Sequence, residues 1–297
     1  MSAHAETSRG QVAPCHRAAD ARRQRRQVNG LIGWILCGAA FAMLAAAMLW
    51  ILGTVLVRGL SALTPSVFTE VTQGTGGGLL NAIEGTCVIA VGTLILGVPF
   101  GVAAGIFVAE YRSTMWARIV RFLSDVLVGV PSVVLGYFGY ITMVEWLGWH
   151  FSLAAASITL AVLCLPYICR TTELALREVP DTLREAGYAI GASPARVTFR
   201  LTMRSAMPGI VTGVLLALAV SVGETAPLLY TAGWSSYLWT GALVRSPIAY
   251  LTYAIWAFIN EPFAAANALA YAAALLTTAF VLVISLISRL VLLRRRA

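Results

Sequence analysis

The chain contains no lysine: all 21 of its basic residues are arginine. A phosphate-binding G-x-x-x-x-G-K-[ST] loop needs its lysine, so this chain cannot itself be a P-loop ATPase. A Schiff-base enzyme is excluded for the same reason. Charge of either sign is scarce, at 11% of 297 residues. The three histidines (His4, His16, His150) are far apart. The five cysteines (Cys15, Cys37, Cys87, Cys164, Cys169) show no C-x-x-C spacing. Neither a zinc site nor a disulfide framework follows from such a set. Cysteines scattered through apolar stretches act as small hydrophobes.

What is abundant is apolar surface. Hydrophobic residues make up 59% of the chain and the mean hydropathy is +0.81. Several windows exceed the roughly 20 apolar residues that cross a bilayer as a helix. Their continuity excludes the weak alternation of a membrane β-barrel. The reading is an all-α integral membrane protein with six transmembrane helices, in which bilayer lipid is an obligatory partner. A basic tail, residues 1–30, precedes a first span over 31–57, which is too long for a signal-peptide core. An outer loop covers 58–78, and the main membrane domain covers 79–291. Within it, helices are expected at about 79–109, broken or bent near Pro99, then 122–147, 153–176, 208–231 and 268–291. A short tail, 292–297, ends the chain.

The arginines follow this alternation. Those of the N-terminal tail, of the loops at 110–121 and 177–207, and of the C-terminal end fall on one side, leaving Arg58 and Arg245 on the other. Positive charge stays on the cytoplasmic side, so both termini are expected there, in an inner (plasma) membrane. The net charge of +8 is thereby topological, and no nucleic-acid partner is needed to explain it. Two other features stand out. Gly97, Gly101 and Gly105 share one helix face, a spacing that lets backbones approach closely. The stretch 232–267 carries Trp234, Tyr237, Trp239, Tyr250, Tyr253, Trp256 and Phe258. It is either an interfacial aromatic belt or a segment that re-enters or docks a partner.

Between two apolar stretches lies "REAGYAIGASPARVTFRLTMRSAMPGI". Thr182 and Glu185 have capping-box spacing. Gly191 is placed to end the first short helix with a positive φ. Ser193-Pro194 is placed to start the second as N-cap and N1. Arg196, Arg200 and Arg204 make a polar stripe, with Val197 and Leu201 beside it. By itself this amphipathic pair suits anionic headgroups. Its Glu185-Ala186-Gly187-x-x-x-Gly191 pattern, however, resembles the E-A-A-x-x-x-G coupling loop of ABC importer membrane subunits. The resemblance implies a coupling helix, within a loop of 181–207, that plugs into an ATPase subunit. Gly187 stands where that family prefers alanine. Met203-Arg204 stands where it usually has Leu-Pro, so the later half of the loop is expected to be straighter.

A second stretch, "GETAPLLYTAG" (223–233), resembles the signature of the PstA-type membrane subunit of phosphate ABC importers. "NAIEGT", "GIFVAEY", "VGVPSVVLGYFGY" and "LPYICRTTELALREVP" also match that family, over about residues 79–290. The resemblance implies the type I ABC importer (MetI-like) fold and a permease subunit that moves inorganic phosphate by alternating access. It also implies a PstC-like membrane subunit, two ATPase subunits that bind and hydrolyse ATP with Mg, and a periplasmic phosphate-binding protein. This chain is then non-catalytic and binds no cofactor or metal of its own. Another oxyanion (phosphonate or sulfate) or an ion-coupled secondary transporter are the alternatives. Two ionisable residues inside spans are candidates for the substrate pathway or gate. Arg170 lies roughly 9 Å from the end of its helix, in the motif Arg170-Thr171-Thr172-Glu173. Glu224 lies roughly 24 Å into its own. Val220 occupies a position where the family commonly has arginine.

Overall fold

The computed structural model describes residues 13–293. It divides the chain into two compact units, residues 1–54 and 55–297. The start of the basic tail, residues 1–12, and Arg294, Arg295 and Arg296 of the C-terminal end lie outside the described residues. Among the described residues the only strands form one small hairpin; the other regular elements are helices. Its elements are α1 (Ala13–Ala62), α2 (Pro65–Thr69), β1 (Thr72–Gln73), β2 (Gly76–Gly77), α3 (Leu80–Glu110), α4 (Met115–Gly129) and α5 (Ser132–Gly139), continued by a π turn (Tyr140–Trp146). Then follow α6 (Leu153–Arg177), α7 (Asp181–Ala189), α8 (Pro194–Arg196) with a π turn (Val197–Thr202), α9 (Met203–Gly223), α10 (Ala226–Thr231), α11 (Leu251–Phe258) and α12 (Ala264–Leu293).

The first span begins earlier than its apolar run, because helix α1 already includes Ala13. Its apolar part, Asn29–Ala62, has a mean hydropathy of 2.4 and no buried residue in its most apolar stretch. So much exposed apolar surface is sustainable only in lipid or against other subunits. In the second unit, Leu80–Glu110, Leu153–Arg177, Pro194–Gly223 and Ala264–Val291 are long and apolar enough to cross a membrane.

The expected third span is not one helix. Met115–Gly129 and Ser132–Trp146 meet at a 100° bend. Pro131 causes it: the ring removes a backbone N–H and holds the preceding residue out of the helical region. Val130 accordingly has φ −77° and ψ 126°. The bent pair still carries the chain across. Helices α3 and α6 run parallel, since Gly92, Gly97, Gly101 and Gly105 lie against Ser157, Ala161, Ile168 and Thr172 in turn. Between two parallel spans the chain must return once. Arg121 of α4 reaches Glu173 near the end of α6, and Gly139 of α5 lies against Thr159 near its start. Counting the pair as one crossing gives six spans.

The glycine face of α3 behaves as its spacing predicts: Gly97, Gly101 and Gly105 are buried. At Gly105 an added Cβ would stand 2.7 Å from the Cys169 carbonyl oxygen. Helix α3 continues through Pro99 without a break. Helix α6 is the most enclosed span. Helix α9 packs antiparallel on it, with Gly209 against Ala175 and Gly213 against Thr171.

The fifth span also differs from expectation. It runs without interruption from Pro194 to Gly223 and stops eight residues before Thr231. With arginine at 204 rather than proline, nothing breaks the helix between the elbow and the membrane. The later half of the loop is helical, with a π turn at Val197–Thr202. The span ends where Glu224 turns extended, at φ −71° and ψ 135°. Pro227 then sits in the first turn of α10, where a missing N–H costs nothing.

The aromatic stretch folds into the second unit. Trp234 stacks on Tyr253 with centroids 4.8 Å apart and meets Phe258 edge-on at 5.8 Å. Tyr250 is 1% exposed. Polar groups of α3 fix the segment. Asn81 Nδ2 donates to the Ser235 carbonyl (2.7 Å), and the Leu251 N–H donates to Thr86 Oγ1 (2.9 Å). The backbone N–H of Trp239 donates to Glu84 Oε2 at 3.2 Å. An exposed aromatic belt therefore does not describe this stretch as a whole.

Candidate functional site

The elbow between α6 and α9 is built by local rules. Helix α7 starts at Asp181, with Pro180 as its N-cap and the Leu183 N–H closing on the Pro180 carbonyl at 3.1 Å. The expected Thr182–Glu185 capping box is not formed. Thr182 is already the second helical residue, so its hydroxyl is past the capping position. The helix ends as expected. Gly191 has φ +78°. Its N–H donates to the Tyr188 carbonyl (2.9 Å), and the Ala192 N–H donates to the Gly187 carbonyl (3.2 Å). This pair of bonds is a Schellman end, which favours glycine at the left-handed position. Ser193 and Pro194 then start α8 as N-cap and first residue, though the serine hydroxyl makes no capping bond.

Glu185, Ala186 and Gly191 are exposed on this elbow, while Gly187 is buried. An added Cβ at Gly187 would lie 2.7 Å from Leu201 Cδ1 and 3.0 Å from Val197 Cγ2. Glycine here lets α7 rest directly on the following helix. Arg196, Arg200 and Arg204 are exposed as the predicted stripe. Ile190, 82% exposed, and Phe199, 60% exposed, stand beside them. The elbow thus presents carboxylate, guanidinium and apolar groups together on an outward surface.

One arginine ties the elbow to the spans, and sequence reasoning missed it. Arg184 Nη1 bonds Glu110 Oε1 at the end of α3 (2.7 Å), and Nη2 donates to the Leu176 carbonyl at the end of α6 (3.2 Å). Both charged side chains are largely enclosed, at 18% and 16% exposure. Glu110 and Arg184 stand 74 positions apart in sequence. The available signal was an arginine in the first turn of α7, where a positive charge opposes the helix dipole and so calls for a partner.

The candidate pathway residues do not come together. Glu173 is 1% exposed. It holds three guanidiniums: Arg121 at 2.8 Å, Arg170 at 3.2 Å and Arg177 at 2.7 Å. Arg170 therefore belongs to a cluster that also joins α4 to α6, and its side chain is 52% exposed. Three guanidiniums on one carboxylate leave excess positive charge. Glu173 closes the Arg170-Thr171-Thr172-Glu173 motif, and sequence alone gives it no role there. Glu224 is half-buried, and no ion pair to it occurs among the described residues. Its backbone carbonyl, freed by the helix break, accepts from Thr252 Oγ1 at 2.9 Å. Val220 is 38% exposed on α9. No group of three or more metal-ligating side chains occurs among the described residues.

Spans laced by small residues, a broken fifth crossing and an outward elbow pinned to two spans define a type I ABC importer permease fold. Two solved structures share it. An inward-facing MetNI methionine ABC transporter matches with a TM-score of 0.56 at 22% identity, over 72% of this chain and 93% of its own. A bacterial ABC transporter that imports the acidic polysaccharide alginate matches with a TM-score of 0.54 at 14% identity, over 90% and 97%.

The family model for "Binding-protein-dependent transport system inner membrane component" matches residues 101–297. The "Phosphate transport system permease protein PstA 2" of Mycobacterium bovis is 44% identical over 92% of this chain and 91% of its own length. The "Phosphate transport system permease protein PstA" of Yersinia pestis is 40% identical over 92% of each. That of Haemophilus influenzae is 44% identical over 81% and 86%. The chain belongs to the binding-protein-dependent inner membrane transport components and, among them, to the PstA-type permeases.

Proposed function

We propose that this chain forms half of the translocation path of an ATP-driven importer of inorganic phosphate. The other half is a PstC-like membrane subunit. Two ATPase subunits, which bind ATP and Mg, dock on the elbow, and a periplasmic phosphate-binding protein delivers the anion. Both termini are cytoplasmic, by the distribution of arginine. The chain carries no cofactor and performs no hydrolysis. The division into residues 1–30, 31–57, 58–78, 79–291 and 292–297 stands as the topological reading.

The observation that carries the mechanism is the double anchorage of Arg184. An ATPase subunit gripping Glu185, Ala186 and Gly191 moves α7 as a unit. Gly187 passes that motion by direct contact to the π turn that continues into α9, and Arg184 passes it to α3 and α6. The helices then shift between two arrangements that face opposite sides, driven by the difference in binding of each state. The solute is taken from the names of the relatives, and the excess positive charge around Glu173 suits an anion. Arg170 attracts or gates the anion from this cluster, while Glu224 holds the helix break. With Val220 in place of arginine, the companion subunit supplies the cation at that level.

The test is Arg184→Gln in the assembled transporter in proteoliposomes. We expect ATP hydrolysis to persist while labelled phosphate uptake falls about tenfold or more. Unchanged uptake removes Arg184 from the transmission path. Competition with phosphonate and sulfate in the same vesicles checks the solute. Uptake supported by an ion gradient without ATP would instead assign a secondary transporter.

A further inference from the structure

Beside the α9–α10 break lies a small cavity lined by Thr86, Leu160, Ser221, Leu228, Tyr250 and Thr252, among others. Five elements meet there: α3, α6, α9, α10 and the segment returning into α11. The space available to the centre of a water-sized sphere is about 10 Å³, about what one molecule needs. Two hydroxyls on its wall are orphans. Ser221 Oγ and Tyr250 Oη are both buried without a hydrogen-bond partner, in residues 0% and 1% exposed.

The neighbouring polar groups are already engaged as donors. Thr86 Oγ1 donates to the Ala82 carbonyl (2.7 Å) and accepts from the Leu251 N–H (2.9 Å). Thr252 Oγ1 donates to the Glu224 carbonyl at 2.9 Å. The nearby Cys164 thiol spends its one proton on the Ala217 carbonyl at 3.5 Å and makes no hydrogen bond of good geometry to Ser221 Oγ. The threonine oxygens keep lone pairs free to accept. A buried hydroxyl without a partner is costly, and natural proteins rarely leave two facing one cavity.

We propose that this cavity is a binding site for a single structural water. The water accepts from Ser221 Oγ and Tyr250 Oη and donates to the threonine oxygens. No carboxylate or arginine lines the cavity, so a neutral ligand fits better than an ion. The water stitches α9 to the returning segment across the point where the span is broken. It can also re-form its bonds as the two helices rotate, which a fixed side-chain pair cannot. This assignment does not depend on which solute crosses.

Tyr250→Phe and Ser221→Ala, singly and together, test it in the assembled transporter by thermal unfolding. Each single variant should lower the midpoint by roughly 2–4 °C. The double variant should lower it no further than the larger single. A rise in midpoint would mean that true orphans had been relieved, and additive losses would mean that the hydroxyls have separate partners; either result overturns the proposal. A loss that tracks sodium or potassium concentration would assign a cation in place of the water. An independent check is a density map of the assembled transporter fine enough to show ordered water. A peak within hydrogen-bond distance of both oxygens is expected, and its absence overturns the site.

Discussion

The parallel α3–α6 pair has its two ends held by different chemistry. Near its last turns, Glu173 gathers Arg121, Arg170 and Arg177, and Arg184 grips Glu110. Near its start no ion pair occurs among the described residues, and contact is made by hydroxyls, rings and bare backbone. Gly85 presses on the Ala249 carbonyl, Thr86 receives the Leu251 N–H, and Trp234 stacks on Tyr253. Ion pairs act at longer reach and tolerate small displacements, because Coulomb energy falls slowly with distance. Close packing does not: a void or overlap of one methyl group is felt at once. The arginine end therefore suits the elbow motion proposed above, and the aromatic end suits a fixed register.

The sharpest way to break this comparison is at Glu173. Glu173→Gln leaves three guanidiniums facing one another without a carboxylate. Disrupting a buried pair costs about 3–5 kcal/mol, and the half-exposed Arg170 and Arg177 place this case near the lower bound. Thermal unfolding of the assembled transporter should show the largest loss of the series, and a loss that shrinks at high salt as the remaining repulsion is screened. An unchanged midpoint would show that the cluster does not hold α4 to α6.

Gly85→Ala probes the opposite end. Its Cβ would collide with the Ala249 backbone, so the returning segment must shift, at about 1–3 kcal/mol. That loss should be the same in low and high salt. A salt-dependent loss would erase the distinction between the ends. The smallest expected effect is at the elbow itself. Gly191 has φ +78° and open space around its Cα, so Gly191→Ala suffers only from backbone conformation, at about 1 kcal/mol. Gly191→Asn should cost less, because asparagine visits that region more readily. Equal losses for the two would point to a lost contact instead.

Much of the architecture was legible in the chain itself. Apolar runs located the spans, arginine spacing set their alternation, and the glycines of α3 marked its packed face. Gly191 and Ser193-Pro194 marked the elbow, because those signals are local: a positive φ or a proline at N1 needs no knowledge of the rest of the fold. The misses have a physical pattern. The capping box failed because Pro180 took the N-cap two residues before Thr182. The third span is expected as one helix made bendable by Gly129 and Pro131, because apolar content does not show that Pro131 ends the helix outright at Val130. The fifth was drawn eight residues too long, because residues on both sides of Glu224 are equally apolar.

Composition and local pattern alone were enough to determine a lysine-free, helical membrane protein with a short helical elbow between two spans, since desolvation and backbone sterics act residue by residue. Tertiary structure alone decided which charges meet. Arg184 finds Glu110 and Arg121 finds Glu173 only because parallel α3 and α6 bring distant turns to one level, and electrostatic pairing depends on distance in space rather than along the chain.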